Sequence, residues 1–487
     1  MNFKKMKNLF LRQSYLDSWT DYESSLTKPS FIKWDYLVLT ASNEEQARTY
    51  REQIDYRLKQ GRLPAGTHYA VLPDPDGKRV GSGGATLHVL NYIAGQERAK
   101  GKVGSTASSG TKPFQGLRIL VIHSGGDSKR VPQYSACGKL FSPVPRELPN
   151  GFGSTLFDEF VIGMSGVPSR IPEGMLVLSG DVLLLFNPLQ IDFNARGAAA
   201  ISMKENVETG KEHGVFLNDG NDYVGQFLHK QSEERLRSLG AVNAHGNVDL
   251  DTGAVVLGVS LLEALYGLIS TDGEPDESKF QEFVNEKARI SFYGDFLYPL
   301  AGQSTLKQYY KEAAEGEINE ELLRCREKIW DALHPFSMKL ICLSPAEFIH
   351  FGTTSELMRL VTHDVEDYEF LDWKKQVVTT APAGADYAAH NSYVGKRAKI
   401  GKGAYLENSF ILDESCVGSG SVISGVKLKN TTVPEGVVLH GLKLLDGRYV
   451  TRIYGVEDNP KGTLEGAGGA GFLGSSLKDF LTANGID

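Results

Sequence analysis

Residues 117–139 read LRILVIHSGGDSKRVPQYSACGK. The first six, largely apolar, predict a buried strand, and a segment rich in glycine and basic residues follows it directly. Open α/β sheets bind ligands beyond the carboxyl ends of their parallel strands. Backbone amides at Gly125 and Gly126 can approach a phosphate closely, and Arg130 and Lys139 supply fixed positive charge. The stretch predicts a polyphosphate-binding loop at such an edge, the alternative being a solvated basic loop.

The glycine spacing in this loop narrows the class of nucleotide site. It is neither the GxxxxGK[ST] of a P-loop nor the GxGxxG of a dinucleotide-binding turn, which disfavours a dehydrogenase. A second glycine-rich segment, GSGGAT at 81–86, precedes a helical pattern. Backbone N–H groups at Gly81, Ser82, Gly83 and Gly84 would form an anion site that also admits a flat base. A structural glycine turn is the alternative.

Apolar stretches alternate with helical patterns around these two segments. Ser42, with Glu45 three residues later, predicts a capping box for a helix ending near Lys59. Further helices are predicted around 261–269 and 320–333. Strands are predicted at 36–41, 68–72, 117–122, 175–178, 198–203, 225–229 and 253–258. The alternation predicts an α/β domain whose sheet is mainly parallel, with helices on both faces.

Near residue 390 the pattern changes to a six-residue repeat. Val394, Ile400, Leu406 and Leu412 are equally spaced, and after a slip of one residue the repeat continues to Leu439. Such spacing predicts a parallel, left-handed β-helix, with a few ordinary strands and glycine turns as the alternative. The predicted organisation is an N-terminal leader (1–34), the α/β domain (35–385), the β-helix (386–457), and a linker with a short helix (458–487).

Three charged residues are candidates for chemistry at strand ends. Asp181 in LSGDV follows an apolar strand, and Asp251 in LDTG immediately precedes another. Because Mg²⁺ usually takes one or two protein carboxylates, the pair predicts a magnesium site, although each could instead be a turn or cap residue. Lys230 ends a strand and could reach a second phosphate, or be a surface lysine.

Charge and cysteine content exclude several protein classes. The chain carries 52 Lys and Arg against 60 Asp and Glu, a net charge of −8, which disfavours nucleic acid as a partner. Four cysteines lie far apart without a CxxC pair, typical of reduced thiols. No apolar run approaches the roughly 20 residues of a membrane span. We expect a cytoplasmic protein with no membrane or nucleic-acid partner.

The motifs in order resemble one family. WDYLVLTAS, PDPDGKRVGSGGAT, HSGGDSKRVP, SGDV, EHGV, LDTG and HFGTTSE are similar to segments of the L-fucose-1-phosphate guanylyltransferase (GDP-L-fucose pyrophosphorylase) family, over about residues 34–460. The likeness is strongest to the nucleotidyltransferase half of bifunctional fucokinase/fucose-1-phosphate guanylyltransferases. It implies a nucleotide-diphospho-sugar transferase-like (Rossmann-like) α/β domain. It also implies Mg²⁺-dependent synthesis of GDP-L-fucose and diphosphate from GTP and L-fucose 1-phosphate.

The resemblance also implies roles for individual residues. The glycine-rich segment at 81–84 would hold guanine and ribose, and the 125–139 loop would cradle the triphosphate. Asp181 and Asp251 would bind the metal, and Lys230 the sugar phosphate. The residues implied near the sugar are His213, Gly214, His350, Gly352 and Thr353.

The sequence departs from the family pattern in two places. Lys230 lies in LHKQ where the family has QKP, which makes its role less secure. The sugar-kinase half is missing, and the glycine-rich segment at 469–476 is interpreted as linker, so we expect a standalone enzyme or one half of a pair with a fused or partner sugar kinase. The alternatives are a pyrophosphorylase for another sugar 1-phosphate or nucleotide, and a non-catalytic nucleotide-sugar binder.

Overall fold

The computed structural model describes residues 3–101, 112–126, 128–191, 193, 197–460, 462–464 and 469–486. It divides into two compact units. The first, here called the sheet unit, comprises Gln13–Gly126 and Val161–Phe348. The second, the ladder unit, comprises Met1–Arg12, Asp127–Phe160 and Ile349–Asp487. Among the described residues, no helix has the length and apolar character to cross a bilayer.

The helices and strands of the described residues have the following bounds. The helices are α1 (Phe3–Thr27), α2 (Glu44–Lys59), α3 (Gly81–Ala99), α4 (Leu156–Gly163), α5 (Val207–Glu212), α6 (Glu233–Ser238), α7 (Val259–Gly267), α8 (Glu277–Phe283), α9 (Leu306–Tyr309), α10 (Glu320–Leu333), α11 (Thr354–Thr362) and α12 (Leu477–Ala483). The strands up to residue 350 are β1 (Tyr36–Ala41), β2 (His68–Pro73), β3 (Arg118–His123), β4 (Pro143–Glu147), β5 (Gly153–Thr155), β6 (Gly174–Ser179), β7 (Val182–Leu185), β8 (Ala198–Asn206), β9 (Gly214–Asn218), β10 (Val224–His229), β11 (Asn247–Leu257), β12 (Ser270–Thr271), β13 (Glu274–Pro275), β14 (Met338–Leu343) and β15 (Glu347–His350). The later strands are β16 (Gln376–Thr379), β17 (Ala388–Val394), β18 (Lys399–Ile400), β19 (Tyr405–Glu407), β20 (Phe410–Ile411), β21 (Cys416–Val417), β22 (Val422–Ser424), β23 (Lys427–Leu428), β24 (Thr432–Val433), β25 (Val437–Lys443), β26 (Tyr449–Gly455), β27 (Gly471–Phe472) and β28 (Ser475–Ser476).

The main sheet of the sheet unit is mixed. Its order is β10-β9-β11-β6-β3-β1-β2, and β8, which pairs with β11, also pairs with β14. Strands β2, β1, β3 and β6 are mutually parallel, as the alternating pattern predicts. The expectation of a mainly parallel sheet is wrong for the other half, where β11 runs antiparallel to β6, β8 and β9. Strand β10 is also antiparallel to β9, and the short turn at 219–223 between them accounts for that pair, because so short a connection joins only antiparallel strands.

The parallel half of the sheet is buried on both faces. Every residue of β1, YLVLTA, is buried, and the core strands β3 and β6 are nearly so. Side chains of α3, α7 and α10 pack in the same apolar core as these strands. Near-continuous apolar runs are the sequence signature of such strands, which is why they were predictable.

The ladder unit contains parallel strands that repeat about every 17 residues. Residues that are hydrogen bonded from one turn to the next have this separation in the sequence. The successive strands form three parallel ladders. These are β17-β20-β23, β18-β21-β24 and β17-β19-β22-β25. Apolar side chains from all three ladders pack in one core.

One residue of the predicted repeat is misassigned. Ile411, not Leu412, is fully buried and pairs with Val394 and Leu428. From Val394 to Leu428 the inward positions are therefore spaced six, six and five residues apart, which makes a turn of 17 residues. The turn from Ile423 to Leu439 spans 16 residues. Glycine follows some inward residues for a steric reason. A Cβ at Gly401 or Gly418 would overlap the backbone of the next turn.

Three further expectations differ from the structure. Residues 3–27, assigned to a leader without periodicity, form α1, whose apolar residues are spread around the helix rather than along one stripe. Asn43, not Ser42, caps α2, because the Asn43 side chain accepts from the Gln46 N–H while Ser42 donates to the Gln46 side chain. The two compact units do not follow the predicted boundary at residue 385, since 127–160 and 349–385 belong with the ladders.

Candidate active site

The carboxyl ends of β1, β3 and β6 lie side by side in the sheet unit. The Ser124 hydroxyl donates to the Thr40 carbonyl at 2.7 Å, and the Ser124 N–H donates to Thr40 Oγ1 at 3.1 Å. On the other side, the Gly180 N–H donates to the His123 carbonyl at 2.9 Å. The loop after β3 therefore starts at the position that open α/β sheets use for ligands.

A cavity of about 220 Å³ opens at this edge and brings together four of the residues predicted to bind nucleotide, Gly81, Ser82, Gly125 and Gly126. The Gly126 carbonyl is held by the Gln46 side-chain amide at 3.2 Å. The complete lining is Thr40, Asp74, Arg79, Gly81, Ser82, Ala85, His123, Gly125, Gly126, Arg289 and Glu315.

Gly83 and Gly84, predicted to bind nucleotide with them, do not line this cavity. Their N–H groups both donate to the Ile290 carbonyl, at 2.8 and 3.4 Å. A Cβ at Gly83 would lie 2.7 Å from Ile290 Cγ2, and Gly81 has a φ of +80° beside the same carbonyl. These glycines are therefore required where α3 passes closely over the Ile290 backbone, which is the structural alternative for this motif.

The Ser82 amide at the start of α3 faces a carboxylate. The Ser82 N–H donates to both Glu315 oxygens at 3.3 Å, and the Ser82 hydroxyl donates to Glu315 Oε1. Burial raises the pKa of Glu315. The Glu315 carboxylate already accepts the hydrogen bonds that Ser82 can donate. This end of the cavity therefore suits a neutral hydrogen-bonding ligand group better than a phosphate.

Several lining residues were missed by sequence reasoning. Burial raises the pKa of Asp74 to about 7, and burial lowers the pKa of His123 to about 4, so His123 is neutral near pH 7. Asp74 and Arg79 stand within the PDPDGKRV motif and could have been chosen from it. Arg289 and Glu315 lie in segments with no local motif, and only the fold brings them to the cavity.

The two predicted metal carboxylates lie on adjacent strand ends. Strand β11 pairs with β6 in a register that places Gly253 opposite Ser179, and a Cβ on Gly253 would lie 2.9 Å from Ser179 Cβ. Asp181 follows β6 and accepts from the Ser179 hydroxyl at 2.8 Å. Asp251 lies within β11, not before it as expected, at a shift in its pairing with β8. Such a shift in strand pairing cannot be predicted from the apolar pattern of the strand.

Asp251 is a buried carboxylate with little neutralisation from the protein. It is 8% exposed and accepts from the Gly253 N–H at 2.9 Å. Burial raises its pKa to about 6. Tyr293 lies close by and was missed by the sequence analysis. Its hydroxyl donates to the Gly253 carbonyl at 3.1 Å, and burial together with the charges of Asp251 and Asp181 raises its pKa far above the usual value.

Part of the predicted sugar site surrounds Asp251. A Cβ on Gly214 would lie 2.9 Å from Asp251 Cβ, so only glycine fits there. The Lys230 N–H donates to the His213 carbonyl at 3.0 Å, and the Lys230 φ of 49° turns the chain sharply at the end of β10. The His213 ring lies edge-on against Phe348, with centroids 5.2 Å apart. His213, Gly214 and Lys230 are thus neighbours of the carboxylate site.

The other predicted residues meet in the ladder unit. Lys139 Nζ donates to the Gly352 carbonyl at 2.9 Å, and the Thr354 N–H donates to the Arg130 carbonyl at 3.0 Å. The loop that carries Arg130 and Lys139 is therefore bonded at two points to the HFGTTSE motif. The Arg130 side chain is exposed.

Helix α11 begins in the HFGTTSE motif with a capping box. The Thr353 hydroxyl accepts from the Glu356 N–H at 3.2 Å, and Glu356 Oε2 accepts from the Thr353 N–H at 2.9 Å. His350 Nδ1 lies 3.7 Å from the same Glu356 oxygen. A Cβ on Gly352 would overlap both Glu356 and the His350 ring, which explains the glycine.

Comparisons with known proteins agree on one family. Residues 111–487 match the family model described as the fucose pyrophosphorylase domain. A fucose-1-phosphate guanylyltransferase of Mus musculus is 27% identical over 464 residues, which are 89% of this chain and 75% of that protein. The protein of the same name from Homo sapiens is 27% identical over 463 residues, 88% of this chain and 73% of its own. The bifunctional fucokinase/GDP-fucose pyrophosphorylase of Arabidopsis thaliana is 25% identical, over 99% of this chain and 48% of its own length.

Proposed function

The chain belongs to the fucose pyrophosphorylase family, and we propose on that basis that it is a nucleotidyltransferase making GDP-L-fucose and diphosphate from GTP and L-fucose 1-phosphate. The observation that carries this proposal is the family match, which spans the phosphate-binding loop and all but the first of the predicted site segments. The guanylyltransferase relatives cover most of the chain and align with about three quarters of their own length.

We propose that the 220 Å³ cavity of the sheet unit receives the guanosine part of GTP. Gly81 and Ser82 would contact the base and ribose, and Gly125 and Gly126 would present backbone to the phosphates. Glu315 beside Ser82 supports a ligand group with N–H or O–H donors at that end, which guanine and ribose both offer. Gly83 would act indirectly, by letting α3 approach Ile290, and Gly84 by leaving room for the Val80 side chain.

We propose that Asp181 and Asp251 hold Mg²⁺. The residues fit the ion because both present hard oxygen donors, and Asp251 is buried with a carboxylate that a cation would stabilise. Two carboxylates are also the number that Mg²⁺ commonly takes before waters and substrate phosphates complete its shell. When bound, the ion would offset the repulsion between the two phosphate groups that react.

The proposed reaction needs no protein nucleophile. An oxygen of the sugar 1-phosphate attacks the α-phosphorus of GTP in line, and the bond to the leaving diphosphate breaks on the opposite side. The protein then contributes positioning and charge. Arg130 and Lys139 would stabilise negative charge on the diphosphate, and Lys230 would neutralise the attacking sugar phosphate. The ammonium of Lys139 is oriented by the Gly352 carbonyl, which supports a fixed position for this charge.

Sugar contacts are proposed on both motifs that contain histidine. His213 and Gly214 adjoin Asp251, which supports a place for them near the sugar phosphate. His350, Gly352 and Thr353 belong to the motif that bonds Lys139. A supply of sugar 1-phosphate by a fused or partner sugar kinase is supported by the Arabidopsis relative, whose name includes a fucokinase.

The finer features of fold and location are also proposals. We propose that the sheet unit is nucleotide-diphospho-sugar transferase-like, supported by its parallel strands and the loop after β3. A left-handed parallel β-helix for 386–457 is supported by the three parallel ladders. Cysteines that lie far apart in the sequence, without a CxxC pair, favour a cytoplasmic enzyme.

An assay of diphosphate release, with each nucleoside triphosphate against a panel of sugar 1-phosphates, tests the function. We expect release with GTP and L-fucose 1-phosphate, dependent on added Mg²⁺. Release with a different pair would make the chain a pyrophosphorylase of other specificity. If no pair gives diphosphate release, and the protein unfolds cooperatively and is therefore folded, the chain would instead be a binding protein.

A further inference from the structure

The segment between Arg130 and Lys139 is tied to the parallel ladders by a buried carboxylate. Tyr134 donates its hydroxyl to Glu407 Oε2 at 2.5 Å, within the ladder unit. Glu407 is fully buried and also accepts from the Tyr405 hydroxyl at 2.9 Å and the Ser424 hydroxyl at 2.6 Å. A buried carboxylate with three donors is costly to disturb, because each lost partner leaves desolvated charge unpaired.

A second tie uses a guanidinium. Arg452 in β26 donates from Nη1 to the Ser135 hydroxyl at 2.9 Å and from Nη2 to the Pro132 carbonyl at 2.9 Å. The same Nη2 lies 2.7 Å from His440 Nδ1. Burial, together with the charge of Arg452, lowers the pKa of His440 to about 4, so the ring stays neutral and accepts from the guanidinium.

Both ties fall inside the segment that separates Arg130 from Lys139. We propose that Glu407 and Arg452 are positioning residues that hold this segment, so that the ladders set the geometry of the phosphate-binding charges. The inference rests on the proposed function in assigning phosphate to Arg130 and Lys139. It gives the ladders a role in catalysis without a contact to substrate, since neither Glu407 nor Arg452 is assigned one.

The expected effect of losing a tie follows from the needs of phosphoryl transfer. The reaction depends on placing charge beside the leaving diphosphate, and a shift of about 1 Å in such a group can cost about 100-fold in rate. The Tyr134 side chain is buried while Arg130 is exposed, so the ties fix the inner part of the segment and leave the charged part at the surface. Loosening them should reduce kcat more than it raises KM for GTP.

The experiment compares Arg452→Ala with Arg448→Ala, an exposed arginine just before β26 that pairs with Asp446. For Arg452→Ala we expect kcat to fall by about 10- to 100-fold, with KM for GTP changed less and the urea midpoint close to wild type. Arg448→Ala should keep wild-type kinetics. Wild-type kcat in Arg452→Ala would overturn the proposal, as would an equal fall in Arg448→Ala.

A second pair of variants and a second readout separate this proposal from the proposed function. Tyr134→Phe removes only the hydroxyl that reaches Glu407, and its control is Ser421→Ala, which removes a buried ladder hydroxyl bonded to the Pro434 carbonyl. We expect faster amide hydrogen exchange at 128–138 in Tyr134→Phe and Arg452→Ala but not in the controls. Unchanged exchange at 128–138 in both variants would contradict the positioning role of Glu407 and Arg452, even if wild-type protein makes GDP-L-fucose. Wild-type protein without diphosphate release would contradict the proposed function. The hydrogen-exchange data would still show whether Glu407 and Arg452 hold the segment between Arg130 and Lys139.

Discussion

Lys139 Nζ donates a hydrogen bond of 2.9 Å to the carbonyl oxygen of Gly352, a residue 213 positions further along the chain. The bond joins the end of the proposed phosphate-binding loop to the start of the α11 capping motif. The carbonyl dipole of Gly352 therefore orients the ammonium of Lys139. This relationship gives the Lys139 ammonium a defined position in the ladder unit.

Lys139→Ala should lower kcat by about 100-fold or more, because a positioned charge at the leaving group stabilises the transition state. Steady-state kinetics with GTP and L-fucose 1-phosphate measure the effect, and urea unfolding checks assembly. Lys427→Ala, which removes an exposed lysine of the ladders, is the control and should be neutral. Comparable turnover in a well-folded Lys139→Ala protein would remove this lysine from the mechanism.

Asp181→Asn should abolish Mg²⁺-dependent activity, since an amide is a far weaker ligand for a hard cation than a carboxylate. A titration of rate against Mg²⁺ concentration, with Mn²⁺ binding followed by electron paramagnetic resonance, reports on the site directly. Asp272→Asn changes an exposed turn residue and serves as the matched control. An unchanged metal titration in Asp181→Asn would place the ligand elsewhere.

Gly83→Ala should destabilise the protein by about 1–3 kcal/mol, because its new Cβ would lie 2.7 Å from Ile290 Cγ2. Gly95→Ala is in the same helix, where a Cβ meets no heavy atom within 4 Å. That substitution should stabilise the protein by about 0.5–1 kcal/mol through helix propensity. Urea unfolding measures the free energy of unfolding of both variants. Equal stability of the two would refute a steric role for this glycine.

His390 should make the protein sensitive to acid. It is 2% exposed, and burial lowers its pKa to about 3 from an ordinary value of 6.5. The unfolded chain therefore takes up a proton that the folded one refuses between about pH 6.5 and 3, and stability falls as pH falls through that window. The loss is at most about 1.4 kcal/mol per pH unit.

His390→Phe keeps an aromatic ring beside Tyr405 and removes the titrating group. The urea midpoint of this variant should therefore decline less steeply from pH 6.5 to 4 than that of wild type. His245→Gln, at an exposed turn, should keep the wild-type slope. Parallel slopes for His390→Phe and wild type would show that another group controls the acid response.

Much of the fold was predictable because its signals are local. The run YLVLTA at 36–41 and the helix at 320–333 were predicted at or within a residue of their bounds, since strand burial and helical periodicity are written in consecutive residues. The antiparallel half of the sheet and helix α1 were not predicted. Strand direction depends on connections, and α1 has no apolar stripe to read.

The candidate site was predictable only where a motif carries it. Gly125, Asp181 and Thr353 stand in short motifs at element ends, where local pattern and geometry coincide. Glu315 and Tyr293 were missed because nothing in their own segments marks them. Each acquires a place beside the site only when a distant helix or strand packs against it.

The sequence by itself determined which loops follow buried strands, where glycine must let backbones approach, and the family to which the chain belongs. These properties depend on side-chain size, polarity and period within a few residues. Only the tertiary structure decided that Glu315 faces Ser82 and that Arg452 holds the segment beside Arg130. Those pairs are separated by hundreds of residues, and hydrogen bonds at that range form only after the intervening chain has packed.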